Sequence, residues 1–368
     1  MTWKKICLLL LFAVMAAYPI YKNFYYGQAI TTYERHMALL EKRSSYYNPW
    51  QYRVLGPALV EASLLVYNQT IDRLYPIEQK LKPSINTTSR PTEETRQFME
   101  LIQKPGAMKY MVVFVLLRWV INVALMYIAF RFFRYFTANI YLVLLMLFLA
   151  TLAMGNGVLA ADLTFNTYLD NCFYLLLGLL VVEKRSALWL LPLTCIAAFN
   201  RETSILIPAL YFLACCRWQP VTAGGLRHIG WPAQKTWLLV GLSYALFLAI
   251  FFSIRAYFGY QPPEVWKVPS GLPMLKLNLL SAVAVKNFFE IYGVIGILPL
   301  LVLAGWKYTD DLLKKWFVLL VPVWFAVHLW AVVTYQSRLF LVPTLLLFIP
   351  MTSRSSTLIR RRFYRENK

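Results

Sequence analysis

Long apolar runs recur along this chain, each closed by charged or aromatic residues, and that pattern limits the fold more than any other feature. About twenty apolar residues wound as a helix match the ~30 Å hydrocarbon thickness of a bilayer, and a helix satisfies its own backbone polar groups there. Such runs fall at about Ile6–Ala17, Tyr110–Phe130, Asn139–Met154, Phe165–Val182 and Leu188–Phe199. Five more follow at about Ser204–Cys216, Thr236–Tyr257, Phe288–Trp306, Trp316–Val333 and Leu339–Met351. The fifth and sixth are short and read as a helical hairpin broken by Asn200-Arg201-Glu202-Thr203. The fold class this predicts is all-α: a polytopic transmembrane helix bundle of about ten spans, one integral membrane domain over 1–368. Composition agrees, with 59% hydrophobic and 15% charged residues against roughly 25% charged in a soluble domain.

The first run follows Lys4-Lys5 and leads into Tyr18-Pro19-Ile20-Tyr21, which lacks the small-residue pattern of a cleaved signal peptide. It reads as an uncleaved signal-anchor with a cytoplasmic N-terminus. Alternating the remaining spans puts Arg131, Arg134, Lys184, Arg185, Lys307, Lys314, Lys315 and the basic tail at 352–368 on the same side. The short loops on the other side hold only Arg201, Lys267, Lys276, Lys286 and Arg338. That asymmetry is the positive-inside bias, and it predicts a multi-pass protein of the cytoplasmic (inner) membrane with both termini cytoplasmic. The same bias, with attraction to anionic membrane lipid, accounts for the net charge of +20. A nucleic-acid partner is excluded, because the basic residues are interleaved with apolar runs rather than gathered on a solvated face. Cys7, Cys172, Cys195, Cys215 and Cys216 lie in apolar stretches without disulfide or metal-ligand spacing and read as small buried hydrophobes.

Between the first two spans lies a long extracytoplasmic loop, 21–106. Ile30–Ser44 and Tyr52–Tyr67 carry the pattern of amphipathic helices lying along the membrane, and Pro91 with Glu93 and Glu94 fits a helix start. Lys82–Arg90 reads as a linker, and Asn68-Gln69-Thr70 and Asn86-Thr87-Thr88 match the glycosylation acceptor pattern. No internal repeat is present.

Ionisable groups at span ends are expensive and mark function. Asp162, Asp170, Arg201, Glu202, Gln336 and Arg338 all fall at extracytoplasmic span ends in this topology, and Glu34 and Arg53 lie in the long loop on the same side. Arginines and carboxylates converging on one face suit a site that holds an anion and moves a proton. Each residue also has a plainer structural reading. Asp162 and Asp170 read as helix caps, Arg201-Glu202 as an ion pair at the hairpin tip, Arg338 as an interface anchor and Arg53 as a loop residue. Arg118 lies near mid-span and needs a partner, for which Glu290 is a candidate; His328 reads as a hydrogen-bonded core histidine.

Three segments carry a family resemblance: Tyr52-Arg53-Val54-Leu55-Gly56-Pro57, Phe199-Asn200-Arg201-Glu202-Thr203 with Pro208, and Ser337-Arg338-Leu339 with Pro343. With the long first outer loop, they resemble bacterial membrane proteins of the GT-C glycosyltransferase type, which use lipid-phosphate-linked sugars on the outer face of the membrane. The resemblance implies a membrane glycosyltransferase that moves a sugar from a polyprenyl-phosphate donor to an extracytoplasmic acceptor of the cell envelope. A carboxylate of the first outer loop commonly acts as base in that family, and acids of the second outer loop assist or bind a divalent metal. Glu34 and Asp162 occupy comparable places, with Asp170 a third candidate base. No Asp-Asp, Asp-Glu or Asp-x-Asp signature follows the first span. Arg201 and Arg338, with Arg53 and Glu202 beside them, are the expected holders of the donor phosphate. Two alternatives stand next to this one: a transporter or lipid flippase, and a non-catalytic envelope-assembly protein. A transporter is disfavoured by the one-sided polar residues and the missing repeat.

Overall fold

A computed structural model describes residues 3–25, 28–41, 50–81, 92–159, 164–219, 228–259 and 268–353. Its first helix, α1 (Trp3–Tyr25), packs against α7 (Ala107–Phe136) and α8 (Ile140–Gly157). Small residues set these approaches, as they do where helices meet in lipid. A Cβ on Gly155 of α8 would run into the Tyr18 ring. Asn23 then ties the C-terminal end of α1 to that of α8, its Nδ2 donating to the Val158 carbonyl at 3.1 Å.

The described residues between α1 and α7 include helices over the N-terminal half of α7: α2 (Gln28–Leu40), α3 (Leu55–Gln69), single turns α4 (Ile71–Leu74) and α5 (Ile77–Lys80), and α6 (Glu93–Ile102). Thr92 caps α6, its Oγ1 accepting from the Thr95 N–H, so the helix starts just after the expected Pro91. Pro91 itself, the linker and the Asn86 sequon lie outside the described residues. Polar pairs pin this cover down. Lys109 meets Asp72 at 2.7 Å, and Glu61 Oε1 accepts from Tyr110 at 3.0 Å and contacts His36 Nε2 at 2.7 Å.

The central element is α9 (Thr164–Val182), almost entirely buried. It lies against α7 where a Cβ on Gly178 would come within 2.6 Å of the Phe132 ring. Two short helices follow, α10 (Leu190–Ala198) and α11 (Leu206–Cys215), then a small antiparallel hairpin that the sequence reading did not contain, β1 (Arg217–Gln219) with β2 (His228–Gly230). The long α12 (Gln234–Phe258) is followed by α13 (Leu272–Leu280), α14 (Ala282–Ile295) and α15 (Leu298–Gly305). The expected single span Phe288–Trp306 is thus broken, bent by 61°, with Gly296 at φ +57 taking the left-handed turn that glycine allows. Last come α16 (Asp311–Ala331) and a buried C-terminal segment in which α17 (Leu341–Pro343) and α18 (Ile349–Met351) flank a wide π turn, Thr344–Phe348.

Among the described residues six helices are long and apolar enough to cross a membrane: those within α1, α7, α8, α9, α12 and α16. The bent pair makes a seventh if it is one span. The other expected spans fall on shorter apolar segments, Ala187–Ala198, Glu202–Cys215 and Ser337–Met351. The two ends of the bundle differ in chemistry. At one, Arg131 and Arg185 pair with Glu183, and Lys315 reaches the Cys216 carbonyl. At the other stand the start of α9, the α10–α11 turn and the C-terminal end of α12. The cysteines are all free; Cys172 and Cys216 are buried as expected, whereas Cys7 is exposed on the outer face of α1.

Candidate functional site

Asp170 lies six residues into α9, about 9 Å below its start at 1.5 Å per residue, and is fully buried. The chain supplies its partner by stopping α10 early. Helix α10 ends at Ala198, and a turn from Phe199 to Arg201 leads into the 3-10 segment Glu202–Ile205 that opens α11. Arg201 is extended there, with φ −154 and ψ 150. An extended residue sends successive side chains to opposite sides, and so Arg201 and Glu202 part company.

Arg201 turns to α9: its Nη1 donates to Asp170 Oδ2 at 2.9 Å, and only 4% of its side chain is exposed. Thr203 Oγ1 donates to the same oxygen at 3.3 Å, and the Tyr174 hydroxyl holds the Thr203 carbonyl at 2.6 Å. Asn200 Nδ2 donates to the Asn166 carbonyl at 2.9 Å. Buried Asp170 Oδ1 and Arg201 Nε have no partner among the described residues.

Glu202 turns the other way. Its Oε2 accepts from Arg53 Nη2 at 3.0 Å and Nε at 3.3 Å, and its Oε1 from Arg255 Nη2 at 3.5 Å. Arg255 lies near the end of α12, its guanidinium 3.3 Å from the Phe251 ring centroid and 4.4 Å from that of Tyr52. The Tyr52 hydroxyl donates to the Gly259 carbonyl at 3.0 Å. Arg53 arrives on the segment leading into α3, anchored where the Leu55 N–H donates to the Phe199 carbonyl at 3.1 Å. Gly56 makes that approach possible, since a Cβ there would stand 3.0 Å from Asn166 Oδ1 and 3.3 Å from Phe165 Cβ.

Among the described residues, three guanidiniums therefore pair with two carboxylates in this cluster, one more positive group than negative. Such a cluster can hold an oxyanion, because arginine forks match phosphate oxygens. Among the described residues no group of three or more His, Cys, Asp or Glu side chains could hold a metal ion.

Of the residues singled out in the sequence, Arg53, Asp170, Arg201 and Glu202 are brought together. The expected Arg201–Glu202 pair is corrected: each takes a partner from another segment. Arg338 is buried and bonds Gln336 at 3.0 Å. It is not among the residues that the cluster's ion pairs bring together; its neighbour Leu339 accepts at its carbonyl from Trp324 Nε1 at 2.6 Å, and Trp324 meets Tyr174 edge-on. Glu34 is exposed, on the face of α2 away from buried Thr32, Tyr33 and His36, and takes part in none of the cluster's hydrogen bonds. Asp162 lies outside the described residues.

Arg118 donates to Thr32 Oγ1 at 3.0 Å and stacks over Phe165. His328 Nδ1 lies 2.6 Å from the Trp324 carbonyl, a core hydrogen bond. Arg255 escaped the sequence reading although it carries the same signal as the others, a charge near the end of an apolar helix. Searches of protein-family models, curated proteins and solved structures find no match for this chain.

Proposed function

We propose that this protein is a multi-pass enzyme of the cytoplasmic membrane, with about ten crossings, that transfers a sugar from a polyprenyl-phosphate donor to an acceptor on the outer side. The reading is carried by one observation: Arg53, Arg201 and Arg255 converge with Asp170 and Glu202 at the end of the bundle opposite its basic clusters. Basic clusters mark the cytoplasmic side, so the arginine–carboxylate site faces outward and the helices α2 to α6 lie on the outer side. The α10–α11 hairpin, as two short crossings or as a re-entrant loop, returns the chain to the same side, so the orientation of α12 is the same in either case.

In the transfer, the acceptor hydroxyl oxygen bonds to the anomeric carbon as the bond from that carbon to the phosphate oxygen breaks. The bonding pair leaves with the polyprenyl phosphate, whose negative charge the arginines stabilise in place of a metal. The hydroxyl proton passes to the open carboxylate of the cluster, Glu202. A second reading, a lipid-phosphate-binding protein without catalysis, is favoured by the fact that both carboxylates are held by arginines.

The test is transfer of labelled sugar from polyprenyl-phosphate donors by the purified protein in liposomes. Turnover in wild type that falls at least about a hundredfold in Arg53→Ala, as loss of an oxyanion donor does elsewhere, supports transfer. Donor binding without turnover across a panel of acceptors selects the second reading, and absence of donor binding removes both.

A further inference from the structure

The two carboxylates of the cluster are not equivalent. Asp170 is wholly buried, and its arginine is 4% exposed. Glu202 keeps 29% of its side chain open, and the two arginines that hold it are open by 12% and 22%. The open part of the site is therefore Arg53, Glu202 and Arg255, while Asp170–Arg201 fastens the hairpin tip to α9 behind it.

Both open arginines are positioned by groups other than Glu202. Arg255 lies against the rings of both Phe251 and Tyr52, and its Nη1 donates to the Phe251 carbonyl at 3.3 Å. Arg53 follows a short turn, its own N–H bonded to the Trp50 carbonyl at 3.2 Å, and precedes the Leu55–Phe199 backbone bond. Removing the Glu202 carboxylate would leave two guanidiniums aimed at the position it holds. Its two oxygens, one on each arginine, reproduce the way a phosphate bridges two arginine forks. The side chain itself hangs from a 3-10 turn at the hairpin tip, where the backbone N–H of Glu202 also donates to it.

We infer that Arg53 and Arg255 form a subsite for a phosphate group and that Glu202 is the internal anion occupying it until the phosphate arrives. The inference rests on the proposed donor chemistry and sharpens it: Arg255 replaces Arg201 as the second phosphate holder. Displacement also frees a carboxylate beside the bound phosphate, where it can take the acceptor's proton.

Binding of farnesyl monophosphate to the purified full-length protein in detergent tests this. Glu202→Gln removes the competing charge at nearly constant shape and should tighten binding at least about tenfold, the worth of one charge-assisted contact. Arg53→Ala and Arg255→Ala should each weaken it by a similar factor, whereas Glu202→Asp, with a shorter reach, should fall between wild type and Gln. Melting temperatures confirm that each variant compared is folded. Inorganic phosphate measured alongside separates a lipid headgroup from free phosphate: binding of either supports the subsite, and the tighter ligand names the source. Wild-type binding that Glu202→Gln weakens or leaves unchanged overturns the inference alone. Failure of wild type to bind either ligand overturns the lipid-phosphate reading beneath it.

Discussion

Arg53 and Glu202 stand 149 residues apart in the chain, yet Arg53 presents both Nε and Nη2 to one oxygen of the Glu202 carboxylate. The pair joins the segment leading into α3 to the tip between α10 and α11, and Arg255 of α12 closes it from a third direction. Three remote parts of the sequence thus share one partly open cluster. The opening lies beside a second pair, Arg201–Asp170, that is sealed.

Sealing makes that second pair a structural liability when halved. Asp170→Asn leaves a buried guanidinium without its counter-charge, a change worth about 3–5 kcal/mol in buried pairs. Thermal unfolding in detergent should show a drop in Tm of several degrees. Arg96→Ala, which removes the exposed pairs with Glu93 and Glu100, should leave Tm unmoved. Equal Tm for Asp170→Asn and wild type would contradict the buried-pair account.

Helix contact gives an independent check. Gly178→Ala places a methyl 2.6 Å from the buried Phe132 ring, and overpacking of this kind costs about 1–3 kcal/mol. Gly241→Ala, with nothing within 4 Å of its Cβ, should be neutral or slightly stabilising, because alanine loses less backbone entropy in a helix. The two melting temperatures should move apart; a shared value would mean that α7 and α9 do not meet at these residues.

Acid should loosen the cover through His36. Burial lowers its pKa below the ordinary value, against the opposing hydrogen bond and charge of Glu61. Below about pH 6.5 the unfolded chain binds a proton at this position that the folded chain does not yet bind. Stability contributed here is therefore lost as pH falls from about 6.5 toward the lowered value. Tm recorded between pH 7.5 and 5.5 should decline less steeply in His36→Gln than in wild type; parallel curves would count against it.

Orientation is testable by cysteine labelling from outside intact cells. In a cysteine-free background Glu34→Cys should react with a membrane-impermeant reagent and Asp311→Cys should not, since the latter lies with the basic end of the bundle. The reverse pattern would invert the proposed topology.

The long helices were legible because twenty apolar residues in a row leave a chain few other folds. The break at Asn200–Thr203 was legible too, since four polar residues interrupt an apolar run. The pairing within that break was not. Adjacent Arg201 and Glu202 suggest each other as partners until the backbone is known to be extended at Arg201. Asp170 looked like a cap and proves to lie well inside α9, where helical periodicity says nothing about which neighbour faces it. Gly56 carried its signal in plain view, but only the closeness of Asn166 and Phe165 explains why a side chain has no room there. The bend after α14 depends on Gly296 at positive φ, one residue within an otherwise continuous apolar stretch.

The central claim is that the open arginine pair holds the phosphate of a polyprenyl lipid. Native mass spectrometry of the protein extracted gently from its own membrane measures this most directly. The account predicts a bound species with the mass of a polyprenyl phosphate, or of its sugar-bearing form, on wild type and its loss from folded Arg53→Ala/Arg255→Ala. Wild type free of any phosphate-bearing lipid, or retention of the same lipid by the folded double variant, would contradict it.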